Sequence, residues 1–175
     1  MENFKNKIVI IVLAFIVIFL SKPTRFVEVK DSSGNYILLT QATKFDTLKY
    51  SFVHSSEHVP ATAFFGYKGN EFIHLMTIFD SFGPGLPDMV PGDSFQIKKD
   101  KWIIYPKANN RVFKVLRFVI SPESKQKIRV GRNEVDFYKF MKRGETVVVR
   151  TRVTSLSLYL TKKYFTSQLH RRNAK

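Results

Sequence analysis

Apolar and polar residues alternate with a period of two through much of the chain. Leu48, Tyr50, Phe52 and His54 interleave with Lys49, Ser51, Val53 and Ser55. Val147, Val149 and Val153 interleave with Arg150 and Arg152. Successive side chains of a strand point to opposite faces, so this pattern predicts half-buried β-strands. Arg25–Lys30 and Tyr36–Gln41 flank Asp31-Ser32-Ser33-Gly34-Asn35, a hairpin turn. Ala61–Tyr67 and Glu71–Phe79 flank Lys68-Gly69-Asn70 in the same way. Ser94–Lys98 and Trp102–Tyr105 flank a Lys-Asp turn, and Val112–Ile120 is strongly β-forming. Phe72–Phe79 is largely apolar on both faces, as expected for a central strand covered on two sides.

Two segments break this pattern. Ile8–Leu20 is thirteen apolar residues in a row, preceded by Lys5 and Lys7. Such a layout predicts a hydrophobic helix serving as a signal sequence. The run spans about 20 Å as a helix, against roughly 30 Å of bilayer hydrocarbon. Residues 4–21 reach about 27 Å if the lysines snorkel. The exit Phe19-Leu20-Ser21-Lys22-Pro23 lacks a small-x-small cleavage site, so an uncleaved signal anchor is expected, with secretion as the outcome if it is cut. The second segment is Glu134–Arg143. Asn133 as cap, Glu134 and Asp136 early, Lys142 and Arg143 late, then Gly144, predict a short helix.

The expected architecture is therefore all-β, a β-sandwich or partly open barrel with one short helix, preceded by an N-terminal hydrophobic helix. Residues 1–22 form the signal anchor or signal peptide, 25–154 the β domain and 155–175 a basic C-terminal tail, helical or disordered. The expected location is the cell membrane, single-pass through residues 4–21, with the β domain outside the cytoplasm.

Composition narrows the chemistry. Cysteine is absent, which excludes disulfides, a thiol nucleophile, Cys-ligated zinc and an N-terminal lipidated Cys. Lys+Arg is 29 against 14 for Asp+Glu, a net charge of +15. That excess attracts anionic lipid or polymer. The clusters Lys98–Lys101, Lys125–Arg132 and Lys162–Lys175 are not interleaved with aromatics in a nucleic-acid motif, so no nucleic acid is expected as a partner.

Two loops stand out. Phe52–Pro60 holds His54, Ser55, Glu57 and His58. Neighbouring strand positions face opposite ways, so His54 and Ser55 do not pair as base and nucleophile while the strand persists. His54 and His58 would need a third zinc ligand, for which His74 and Asp80 are the choices, and no metal or other cofactor is expected. Asp80–Asp88 holds Gly83 and Gly85, whose N–H groups could cradle an anion, although Pro84 and Pro87 donate nothing. The candidate ligand-binding residues are Tyr50, His54, Ser55, Ser81, Gly83 and Gly85; no catalytic residue is assigned.

These loops carry a resemblance. Tyr50, His54, Ser55 and Pro60, followed by Ser81-Phe82-Gly83-Pro84-Gly85-Leu86-Pro87, resemble the motifs of the domain-of-unknown-function family 1850. The likeness runs from about Phe26 to Thr154 and includes Arg129-Val130-Gly131. This chain departs from the family in two places. It has Ala61-Thr62-Ala63-Phe64 where members carry an acidic residue, and Pro84 where they carry Ala. The resemblance implies a small exported or membrane-associated protein, an accessory to the permease of TAXI-type TRAP transporters for organic acids. The alternatives are a stand-alone binder of anionic lipid or wall polymer, and an extracytoplasmic hydrolase using His54 with Ser55, Glu57 or Asp80. An accessory or binding role is expected over an enzyme.

Overall fold

A computed structural model describes residues 2–54, 58–80, 91–107 and 111–173, with side chains from 6 to 164. Helix α1 (Glu2–Leu20) leads into β1 (Pro23–Lys30) and β2 (Tyr36–Gln41). Then come β3 (Leu48–Val53), β4 (Pro60–Lys68), β5 (Glu71–Phe79), β6 (Ser94–Lys98) and β7 (Lys101–Tyr105). Strands β8 (Val112–Phe113), β9 (Leu116–Val119), β10 (Lys127–Val130), β11 (Asn133–Asp136) and β12 (Thr146–Ser155) follow, and helix α2 (Leu156–Asn173) ends the chain.

The strands form two antiparallel sheets. One has the order β2-β1-β12-β9. The larger has the order β11-β10-β3-β4-β5-β7-β6, with β8 also paired to β5. Period-two alternation decides what lies between them. Val27, Val29, Val147 and Val149 of the smaller sheet meet Leu48, Tyr50, Phe65, Phe72, Ile128 and Val130 of the larger in one core. Ties between side chain and backbone join the sheets at one corner: Arg25 donates to the Gly69 carbonyl (3.2 Å), and Val153 N–H donates to Asn70 Oδ1 (2.8 Å).

The predicted turns appear where turn chemistry demanded them. Gly34 and Gly69 sit at positive φ, 86° and 55°. Lys99 and Asp100 both adopt left-handed backbone (50° and 59°) in the two-residue link from β6 to β7. The β-forming run 112–120 is divided between sheets: β8 pairs β5, and β9 pairs β12.

The predicted helix over Glu134–Arg143 is not formed. Its first residues are β11, which pairs with β10, and only Phe137–Lys139 turns, as a 3₁₀ helix. Of the residues that read as helix punctuation, Glu134 is used across the β10–β11 hairpin and Asn133 reaches β2 of the other sheet. Glu134 pairs with Arg129 (2.5 Å) and Lys127 (3.6 Å), and Asn133 donates to Thr40 Oγ1 (2.8 Å). Phe137 and Met141 are still buried and cap the core. Strand β5 is central, but it is covered on one side only: Leu75, opposite the core, is 43% exposed.

The tail from Leu156 is a helix laid on the outer face of the smaller sheet. Tyr159 packs on Phe26 with ring centroids 5.8 Å apart, beside Leu39. From Ile8 to Leu20 helix α1 is apolar on every side, and residues such as Ile10, Phe15 and Ile18 are more than 60% exposed. Among the described residues no helix is long and apolar enough to cross a membrane.

Candidate functional site

The first special loop starts where β3 stops. His54 is the first residue past the strand and is half-buried. Its N–H donates to the Val59 carbonyl (2.9 Å), and its own carbonyl accepts from His58 N–H (2.9 Å). His58 takes left-handed backbone, φ 53°, to close this turn. The alternation that put His54 on the face of Tyr50 and Phe52 therefore ends one residue early. Ser55 and Glu57 lie outside the described residues.

The second loop starts where β5 stops, at the same end of the sheet. Antiparallel pairing brings Val53 against Pro60 and Ala61 against Phe79. Asp80 N–H donates to the Pro60 carbonyl (3.3 Å), so the two loops are stitched together at their bases. Asp80 also accepts from Lys101 Nζ at 2.8 Å. Both side chains are about half exposed, so this pair sets an orientation more than it adds stability. Ser81, Gly83 and Gly85 lie outside the described residues.

Beneath these bases is a small apolar cluster separate from the main core. Ala61, Phe79 and Ile104 are buried, with Phe52 and Trp102 against them. Phe95 stacks on Trp102 (5.7 Å) and is half exposed. This end of the sheet thus carries an aromatic cluster, with His54 just past the end of β3 and the Lys101–Asp80 pair just past the end of β5.

Tyr50 is inside the main core, not on this rim. It stacks on Phe118 (3.9 Å) and Phe52 (5.4 Å), and its hydroxyl accepts from Gln126 Nε2 at 2.8 Å. Burial pushes its phenol up to about 12, so it stays neutral at physiological pH. His74, considered as a zinc ligand, is on the core side of β5 and pairs with Phe65. Its Nε2 is 2.7 Å from Thr77 Oγ1. Burial, then the charge of Arg111, lowers its pKa. Six residues of strand, about 20 Å, separate it from Asp80. Among the described residues no cluster of three or more His, Cys, Asp or Glu could hold a metal.

Sequence reasoning missed Lys101, Trp102 and Phe95 as parts of this end. The signal was present, because the Lys-Asp turn fixed the β6–β7 register. What was not legible was that β7 pairs with the last residues of β5, Thr77–Phe79.

A family model for a domain of unknown function, DUF1850, matches residues 48–137. The chain belongs to the DUF1850 family. The match opens on the first residue of β3 and closes on Phe137. It takes in the whole larger sheet, whereas β1, β2, β12 and both helices lie outside it. Comparison with curated proteins and with solved structures finds no match.

Proposed function

We propose that this DUF1850 protein is a membrane-anchored accessory module. Its β domain lies outside the cytoplasm and offers the His54/Asp80 end to a partner or solute without catalysing a reaction. The observation that carries this reading is the polarity of the fold. Helix α1 joins the domain at Pro23, where β1 pairs with the last residue of β12. The hairpin turn Gly69-Asn70 is at that end as well, tied to Arg25 and Val153. Strands β4 and β5 run from there to the two loops, about 27 Å away. An apolar helix at one end and family motifs at the other suit a domain that faces away from a bilayer.

A helix that is hydrophobic all round belongs in a membrane or a large core, and the domain provides no such core for Ile8–Phe19. As the partner we propose what the resemblance to the family implies, the permease of a TAXI-type TRAP transporter in organic-acid uptake. A stand-alone polyanion binder fits less well. Its three basic clusters would have to share a face. Yet β10 and β6 lie near opposite edges of the larger sheet, and Lys162 is on α2 behind the other sheet. A hydrolase is disfavoured because Asp80, one candidate acid, is already engaged by Lys101.

The test is capture of the full-length chain from native membranes in mild detergent, with partners identified by mass spectrometry. Recovery of such a permease, reduced by His54→Ala, is the expected result. A chain that stays in the membrane fraction with no partner would contradict the accessory role.

A further inference from the structure

Where α1 meets the domain, four chain segments converge. Leu156 N–H donates to the Lys22 carbonyl (3.0 Å), and Ala42 N–H donates to the Arg25 carbonyl (3.0 Å). These bonds gather the end of α1, the start of β1, the β2–β3 loop and the start of α2 around a cleft of roughly 860 Å³. One wall is apolar, made by Phe19, Leu156 and Leu160. Lys22, Arg25 and Lys44 add three cations. Arg25 is held inward by Gly69 and by its place over the Tyr67 ring (5.1 Å), so Lys22 and Lys44 are the cations available to a ligand.

The β2–β3 loop adds a second, independent feature. Thr43 N–H donates to Asp46 Oδ2 (2.7 Å), Phe45 N–H to Thr43 Oγ1 (3.3 Å), and Asp46 N–H to the Thr43 carbonyl (3.3 Å). This braced turn holds Phe45 out at 85% exposure, with the Lys44 ammonium 4.9 Å from its ring centroid. A fixed, projecting aromatic beside lysines, next to the exit of an apolar helix, has the chemistry of a membrane-interface contact.

We infer that this cleft binds the headgroup of an anionic phospholipid, with Phe45 inserted into the interface beside it. Lys22 and Lys44 meet the phosphate, and Phe19, Leu156 and Leu160 meet the upper acyl chain. The inference rests on the reading of α1 as the anchor. It adds that the domain is docked on the bilayer at this end and does not swing freely from the helix.

The experiment uses the full-length chain with neutral phosphatidylcholine vesicles and with vesicles that also contain phosphatidylglycerol, both with brominated acyl chains. Flotation reads anchoring. A Phe45→Trp variant reads docking through quenching of its added indole. Trp102, at the far end of the larger sheet, is the internal control in the unsubstituted chain. The expected result is flotation with both vesicles and quenching of the added indole that is strongest with phosphatidylglycerol. Lys22→Gln and Lys44→Gln should each weaken the phosphatidylglycerol-dependent part about fivefold. Flotation without quenching in either vesicle would overturn the docking inference and leave the anchor standing. Failure to float would remove the anchor reading and this inference together. Loss of the phosphatidylglycerol effect on adding inorganic phosphate at constant ionic strength would assign the site to free phosphate, against the lipid.

Discussion

The two sheets share one core but treat their outer faces differently. The smaller sheet is covered on both sides along β1 and β2, although Val119 on β9 is exposed. Its inner valines fill the core, and its outer face lies under α2, where Phe26 is fully buried against Tyr159. Glu28 is buried there too, with Lys162 Nζ and the Tyr36 hydroxyl each 3.1 Å from Oε1, and Arg152 Nε 3.4 Å from Oε2. Burial alone would push this carboxyl up. The hydrogen bond and charge of Lys162, with Lys30 and Tyr36, reverse that and hold it below the usual carboxylate range. The larger sheet leaves its outer face open. Lys49, Ser51, Lys127 and Arg129 line a groove of roughly 260 Å³ there, and Leu75 faces solvent. The smaller sheet lies mostly outside the family match and carries both helices. The open sheet lies within it and carries the motif loops. On the proposed function, attachment and recognition would fall to different sheets, with the helices joined to the one that supports.

Substitutions can break this contrast. Phe26→Ala should be the most damaging, costing about 3–5 kcal/mol, because it empties a filled site beneath α2. Denaturant unfolding gives the size, and limited proteolysis after Leu156 shows whether α2 is released. Glu28→Gln should cost about 1–3 kcal/mol at neutral pH, since it removes a charged acceptor from three donors. Its sign with pH is fixed. The folded pKa lies below the unfolded one, so the contribution is complete above the ordinary carboxylate pKa. It is lost as pH falls through the folded value. The variant should therefore lose less stability than the natural chain on acidification, as read from thermal midpoints across that range.

Smaller effects sharpen the contrast. Tyr50→Phe removes one buried hydrogen bond and should cost about 1 kcal/mol; Gln126 keeps its bond to the Val119 carbonyl (3.0 Å). Stability should be its only readout, with partner capture unchanged. Leu75→Ser, on the open face, should change stability by no more than about 0.5 kcal/mol. A larger loss in denaturant unfolding would mean that this face is covered after all.

Much of this was legible in the sequence, because strands and tight turns are local. Gly34, Gly69 and Lys99-Asp100 mark turns by backbone need alone, and the alternation of β3 and β12 fixes which face meets the core. The misses were of two kinds. At Asn133–Asp136, cap chemistry and cross-strand pairing ask for the same polar residues, and only the partner strand β10 decides between them. At Val112–Ile120, one β-forming run crosses between sheets, which no local pattern can reveal. The same limit applies to the site. Alternation suggested the direction of His54, but the pairing of β5 with β7 brings Lys101 and Trp102 to the same rim. Lys49, Lys127 and Arg129 share a face only because β3 and β10 are neighbours.

The most direct test of the separation of the two ends is site-specific photo-crosslinking in native membranes. A photoreactive side chain would replace Lys101 in one chain and Lys44 in another. The account predicts one protein adduct from the Lys101 position, lost with His54→Ala, and lipid adducts from the Lys44 position. The same protein adduct from both positions, or from the Lys44 position alone, would contradict it.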